Sequence, residues 1–197
     1  MQTELKTSWN KALLKILAFC GLISLTSVSC SSLPDLTESP KIKYKSLRFA
    51  KGNPNTTVFD TMYLTLDFED GNGDLGLSSE ETTGNFALLK PDGSINENHY
   101  NIMIRPFIKA KGAANFAEKI LCPTPPCPNN FNGRYPRLLF DGVEKPLQGE
   151  IVYNFISSNF GYDNLGITDS VIRFEVFIRD RSLNKSNTIT TDTVLIK

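Results

Sequence analysis

Apolar and polar residues alternate along much of this chain with a period of two. In Thr61–Glu69, Met62, Leu64, Leu66 and Phe68 fall on one side and Thr61, Tyr63, Thr65, Asp67 and Glu69 on the other. That period belongs to a half-buried strand. Val171–Arg179 repeats it, with Ile172, Phe174, Val176 and Ile178 inward and Arg173, Glu175 and Arg179 outward. Further strands are expected over Ile42–Ala50, Tyr100–Ile104, Arg137–Phe140, Gly149–Ser157 and Thr188–Lys197. Pro106 places its strand at an edge or a bulge, because proline has no amide to give a ladder. Turn residues cluster at Lys51–Asn55, Pro91–Gly93, Gly161–Gly166 and Asp180–Asn187. Ala113–Ile120 reads as a short helix or turn. With no convincing long helix and no internal repeat, the pattern predicts an all-β protein, an antiparallel β-sandwich, with a closed barrel as the alternative.

A different pattern precedes these strands. Lys6, Lys11 and Lys15 form a basic start, and an apolar run follows from Ile16 to Val28. The run is shorter than the roughly 20 residues that span a hydrocarbon core, and its flanks suit a cleaved secretory leader. It ends Ser27-Val28-Ser29-Cys30, where a small residue precedes a cysteine. This resembles a bacterial lipobox, although Ser27 stands where leucine is usual. The resemblance implies a lipoprotein signal peptide over residues 1–29, acylation of the Cys30 thiol, and membrane anchoring through that lipid. The alternatives are an ordinary signal peptide and a signal anchor that is never cut. Residues 30–41 then form a polar, proline-bearing tether, and residues 42–197 the β-sandwich domain.

Composition narrows the function classes. Lys and Arg number 21, as do Asp and Glu, and losing the leader makes the remainder slightly acidic. There is no basic field to attract nucleic acid. Of the 4 cysteines, Cys20 leaves with the leader and Cys30 carries lipid. Cys122 and Cys127 remain, in a proline-rich loop. In an exported chain such a pair is expected to form a disulfide; a metal site would need more ligands than this loop offers.

The candidate chemistry is concentrated in Asp70-Gly71-Asn72-Gly73-Asp74. Oxygen side chains at alternate positions converge on a hard cation when the backbone curls, and the glycines permit the curl. With Asp70 first in an EF-hand-like count, Glu81 falls twelfth and Leu77 eighth, as that loop requires. Leu75 stands where the sixth-position glycine should be, and no helices flank the loop. The candidate calcium ligands are therefore Asp70, Asn72, Asp74 and Glu81 on a strand-flanked loop. Asp67, Glu69 and Asp180 are further donors if the two loops share one end. A solvated turn is the competing reading. His99 is the only histidine and reads as solvated or locally bonded. No G-x-S-x-G, H-E-x-x-H or P-loop pattern occurs.

The segment RFEVFIRDRSLNKSNTITT is similar to the closing hairpin of bacterial immunoglobulin-like envelope domains. LDFEDGNGDLGL is similar to segments of uncharacterised lipoproteins of Bacteroidota. These resemblances imply an immunoglobulin-like sandwich at the cell envelope, on the outer membrane, and carry no activity or catalytic residues. The expected function is a non-catalytic envelope lipoprotein that binds or scaffolds a protein or glycan. A small hydrolase on a β-scaffold and a calcium-stabilised structural module are the alternatives. Outward aromatics (Tyr63, Phe177 and the group Phe155, Phe160, Tyr162) either line a ligand face or form a second buried face.

Overall fold

Strand β1 shows how the sequence pattern becomes a sheet. Its apolar positions are Ile42 and Tyr44, then Leu47 and Phe49, so the inward set switches from even to odd numbers. Since successive side chains alternate faces, the switch requires one extra residue. The computed structural model has that irregularity: β1 (Lys41–Ala50) pairs antiparallel with β2 (Thr61–Asp70), and the register shifts between Tyr44 and Ser46. Lys45 occupies the bulge and reaches Asp67 and Glu150.

The structure describes residues 36–53, 59–120, 131–138, 145–156, 167 and 169–196, all within one compact unit, Asp35–Lys197. The leader, Cys30, most of the tether, Cys122, Cys127, Phe160, Tyr162 and the Gly161–Gly166 turn lie outside the described residues.

The fold is all-β, with two antiparallel sheets packed as a sandwich. One runs β1–β2–β5, with β5 spanning Leu147–Ile156. The other runs β4–β3–β6–β7, from β3 (Ile102–Lys109), β4 (Ala117–Glu118), β6 (Val171–Ile178) and β7 (Ile189–Thr190); β8 (Val194–Leu195) also pairs with β6. Met62, Leu64 and Leu66 of β2 meet Ile102 and Ile104 of β3 and Ile172, Phe174, Val176 and Ile178 of β6 in one core. Each side chain expected to face inward on β2 and β6 does so, because only that register removes both apolar rows from water.

Four expectations change. Ala113–Ile120 contains no helix; a turn leads into β4. Arg137 and Leu138 are not in a strand, because their neighbours bond across to a loop: Leu77 N donates to Tyr135 O at 3.1 Å and Leu138 N to Leu75 O at 3.3 Å. The last strand is broken into β7 and β8 around Thr191, whose hydroxyl accepts from Phe174 N at 3.0 Å in place of a ladder bond. Pro106 is on neither an edge strand nor a bulge, since β3 lies between β4 and β6 and its register with β6 is unbroken. The amides of Ile102 and Ile104 face the 132–133 segment rather than β6. Pro106 is on that same side, so its missing donor costs the β3–β6 ladder nothing.

Asparagine side chains replace strands at two places. Asn187 accepts from Ile42 N and donates to Ile42 O, both at 2.9 Å, which clasps the outer edge of β1. Asn101, 1% exposed, does the same to Tyr135 N and O, both at 2.8 Å.

Candidate functional site

The Asp-rich loop leaves β2 at its last residue, Asp70, and meets the turn that follows β6. Two backbone links join them: an isolated bridge between Leu75 and Asp180, and a 3.2 Å bond from Arg181 N to Asp74 O. The result is a cluster of Asp70, Asp74 and Asp180, with one carboxylate oxygen from each lying within 4.8 Å of the others. The cluster is sealed: exposures are 0%, 4% and 2%.

Glycines allow this crossing. Gly73 has φ +73° and Gly76 φ +93°, both in the left-handed region. A β-carbon on Gly73 would stand 2.0 Å from Lys145 O, and one on Gly76 2.2 Å from Pro136 O. Gly71 accepts no β-carbon either, since it would lie 2.4 Å from Leu36 O; its amide donates to Thr37 O at 2.8 Å. Three other segments thus close on one short loop.

Two of the carboxylates are held by donors. Asp74 Oδ2 accepts from Ser182 N (3.0 Å) and Ser182 Oγ (2.8 Å). Asp180 Oδ1 accepts from Asn184 N at 2.7 Å and its Oδ2 from Asn184 Nδ2 at 2.9 Å. Asp74 Oδ1 and both oxygens of Asp70 are buried without a hydrogen-bond partner. Burial, then the charges of Asp74 and Asp180, push the Asp70 carboxyl up to about 7. The amides of Gly73 and Asp74 oppose this from nearby without making a full hydrogen bond. Burial also pushes Asp180 up, partly offset by Asn184. Enclosing like charges in this way is costly, of the order of several kcal/mol per ion without compensation.

Tyr135, a core residue, lies within reach of the cluster's charges. It is 5% exposed, and its hydroxyl is buried without a partner. Burial and the fields of Asp70, Asp180 and Asp74 push the phenol far up, so it remains a neutral O–H.

The other expected donors are elsewhere. Glu81 accepts from Ser78 N at 2.6 Å and pairs with Arg137 at 2.7 Å, and it is not one of the cluster residues. The twelfth-position reading of Glu81 therefore does not describe this loop: among the described residues a single 3-10 turn at Gly84–Phe86 follows, and no α-helix carries Glu81 back toward Asp70. Asn72 is used inside the turn, where its Oδ1 receives a long 3.5 Å contact from Asp74 N. Asp67 pairs with Lys45 at 3.6 Å. Glu69 points outward, opposite Lys41 and Gln148. His99 Nδ1 lies 2.9 Å from Phe86 O. Beside it, Arg134 donates to His99 O (2.6 Å), Ser78 O (2.9 Å) and Glu81 O (2.9 Å), tying that loop down.

The aromatics divide as follows. Phe155 is in the main core, and Phe177 packs with Tyr100 and Met103 in a second small cluster beneath Lys185, 3.9 Å above its ring. Tyr63 is half-buried under Arg48 at 3.9 Å. A groove of about 680 Å³ crosses β1, β2 and β5. Charged and amide side chains line it, among them Lys41, Lys43, Asp67, Glu69 and Gln148, but none of the three clustered carboxylates does. Among the described residues, no helix is long and apolar enough to cross a membrane.

No family model, curated protein or solved structure matches the chain.

Proposed function

We propose that this chain is a non-catalytic lipoprotein of the cell envelope, held at a membrane through acyl chains on Cys30, whose β-sandwich binds or scaffolds a protein or glycan. The observation that carries the non-catalytic part is the burial of Asp70, Asp74 and Asp180, at 0%, 4% and 2% exposure. Glycosidase carboxylates must flank a substrate bond and admit water. These three have no open face, and of the carboxylates that do line the surface groove, Asp67, Glu69 and Glu150, two are paired with Lys45. His99 is likewise engaged by Phe86 O and the Arg134 knot.

Support for anchoring comes from the leader and from the chain's division, since the strand-built unit begins at Asp35, shortly after Cys30. Multiple acyl chains at about 0.8 kcal/mol per buried CH₂ would hold it firmly. The test is metabolic labelling with palmitate followed by envelope fractionation. The wild type incorporates label and sediments with membranes; Cys30→Ala does neither. A labelled Cys30→Ala chain, or an unlabelled wild type, overturns the reading.

A further inference from the structure

We propose that Asp70, Asp74 and Asp180 form a divalent-cation site with the chemistry of calcium, and that the ion fastens the β2–β3 loop to the turn after β6. This goes beyond the envelope reading and does not depend on how the chain is anchored.

The argument starts from which oxygens already have donors. Ser182 fills one oxygen of Asp74, and Asn184 engages both oxygens of Asp180. Those bonds stabilise the two residues as carboxylates and hold them in place, as outer-shell partners do around metal ligands. Asp74 Oδ1 and both Asp70 oxygens are left without donors. A proton on Asp70 would neutralise one charge of three. A cation placed among the three addresses all of them together.

A second, independent group points to the same place. The Tyr135 hydroxyl is buried and unpartnered, and the charges of Asp70, Asp180 and Asp74 all reach it. Asn101 holds the Tyr135 backbone from both sides, so this neutral oxygen is positioned rather than adrift. Buried hydroxyls ordinarily have partners. An ion with its ligand shell supplies one.

The donor set selects the ion class. It is made of oxygen, without sulfur or imidazole, which suits hard cations over zinc or copper. The 4.8 Å limit on the separation of the carboxylate oxygens fits within the coordination sphere of calcium, whose opposed ligands stand about 5 Å apart. Magnesium keeps several waters and demands a tight octahedron; a site closed on all sides by protein favours the larger, more adaptable ion.

The experiment uses the full-length chain, stripped with chelator and melted in EDTA, in calcium and in magnesium. At calcium about 100-fold above Kd, the midpoint rises by about 5–10 °C, and by less in magnesium. Asp70→Asn removes a charge from a repelling trio. It therefore melts at or above the wild type in EDTA, gains nothing from calcium, and so reverses the order of the two proteins between buffers. Equal wild-type midpoints in EDTA and calcium overturn the proposal. So does an Asp70→Asn protein that keeps the full calcium shift. A binding readout covers the case in which that variant does not fold. Terbium bound at the site is excited through Tyr135 and displaced by calcium, and Tyr135→Phe loses most of the emission while keeping the calcium shift. Undiminished emission from Tyr135→Phe places the ion elsewhere and overturns the assignment.

Discussion

Ser182 donates both its amide and its hydroxyl to the same oxygen of Asp74, at 3.0 and 2.8 Å, across 108 residues of chain. The bond ties the loop after β2 to the turn after β6 at their crossing point. The other oxygen of Asp74 is buried and has no donor. Hydrogen bonds to charged groups contribute about 1.5–3 kcal/mol. Ser182→Ala keeps the amide and loses the hydroxyl, so a loss of about 1–2 kcal/mol is expected in urea unfolding. Ser182→Thr retains the hydroxyl and recovers most of it. Equal stability of Ser182→Ala and wild type would remove this link from the account.

The glycines of the loop separate crowding from backbone strain. Gly73 and Gly93 both have positive φ, +73° and +80°. A β-carbon at Gly73 meets the Lys145 backbone, while at Gly93 it meets nothing within 4 Å. Gly93→Ala is expected to cost about 1 kcal/mol, from the left-handed conformation alone. Gly73→Ala adds a clash with main chain and is expected to cost more than about 4 kcal/mol. Paired thermal melts decide it; equal losses would mean that the loop does not press on the Lys145 segment.

Asn101 positions Tyr135. Asn101→Ala removes the partner of the Tyr135 amide N–H, and leaves the Tyr135 carbonyl with the amide of Leu77 alone. A loss of about 2–4 kcal/mol is expected, since buried groups left unpaired cost more than the bond itself was worth. Amide exchange at Tyr135 should quicken by at least an order of magnitude. Unchanged exchange there would mean another group holds the segment.

Acid stability depends on Glu81. Burial pushes its carboxyl up, but Arg137 and the Ser78 amide outweigh that and hold it below the usual glutamate value of 4.5. A group depressed in the folded state stabilises the fold above its unfolded pKa, and that contribution is lost as pH falls through the folded value. The Glu81–Arg137 contribution is therefore whole at pH 6–7 and fades below about 4.5. Glu81→Gln lowers stability at pH 7 and flattens the acid limb of a stability–pH curve. An acid limb as steep as wild type would assign the dependence to other carboxylates.

Much of the fold is legible in the sequence where one face is buried and the other wet. The alternations in Met62–Phe68 and Ile172–Ile178 leave a single register that buries both rows. The bulge at Lys45 is written in the shift of apolar positions from Ile42 and Tyr44 to Leu47 and Phe49. The misread stretches are those in which side chains substitute for backbone pairing. Asn101 and Thr191 give no periodic signal, and Arg134 looks like an ordinary surface cation until its three carbonyl partners come together. The candidate site was half legible. Asp70 and Asp74 lie four residues apart in one loop that begins at the end of β2. Asp180 is a donor only if two turns meet, and that depends on which strands stack. Nothing in Arg134-Tyr135-Pro136 marks its tyrosine. Glu81 was drawn in by a spacing that presumes helices this loop lacks.

The most direct measurement of the central claim is a crystal structure of the full chain grown in calcium, with anomalous data to identify the ion. The account predicts one anomalous peak about 2.3–2.6 Å from the oxygens of Asp70, Asp74 and Asp180. Carboxylates at those three positions surrounded only by water, under saturating calcium, would contradict it.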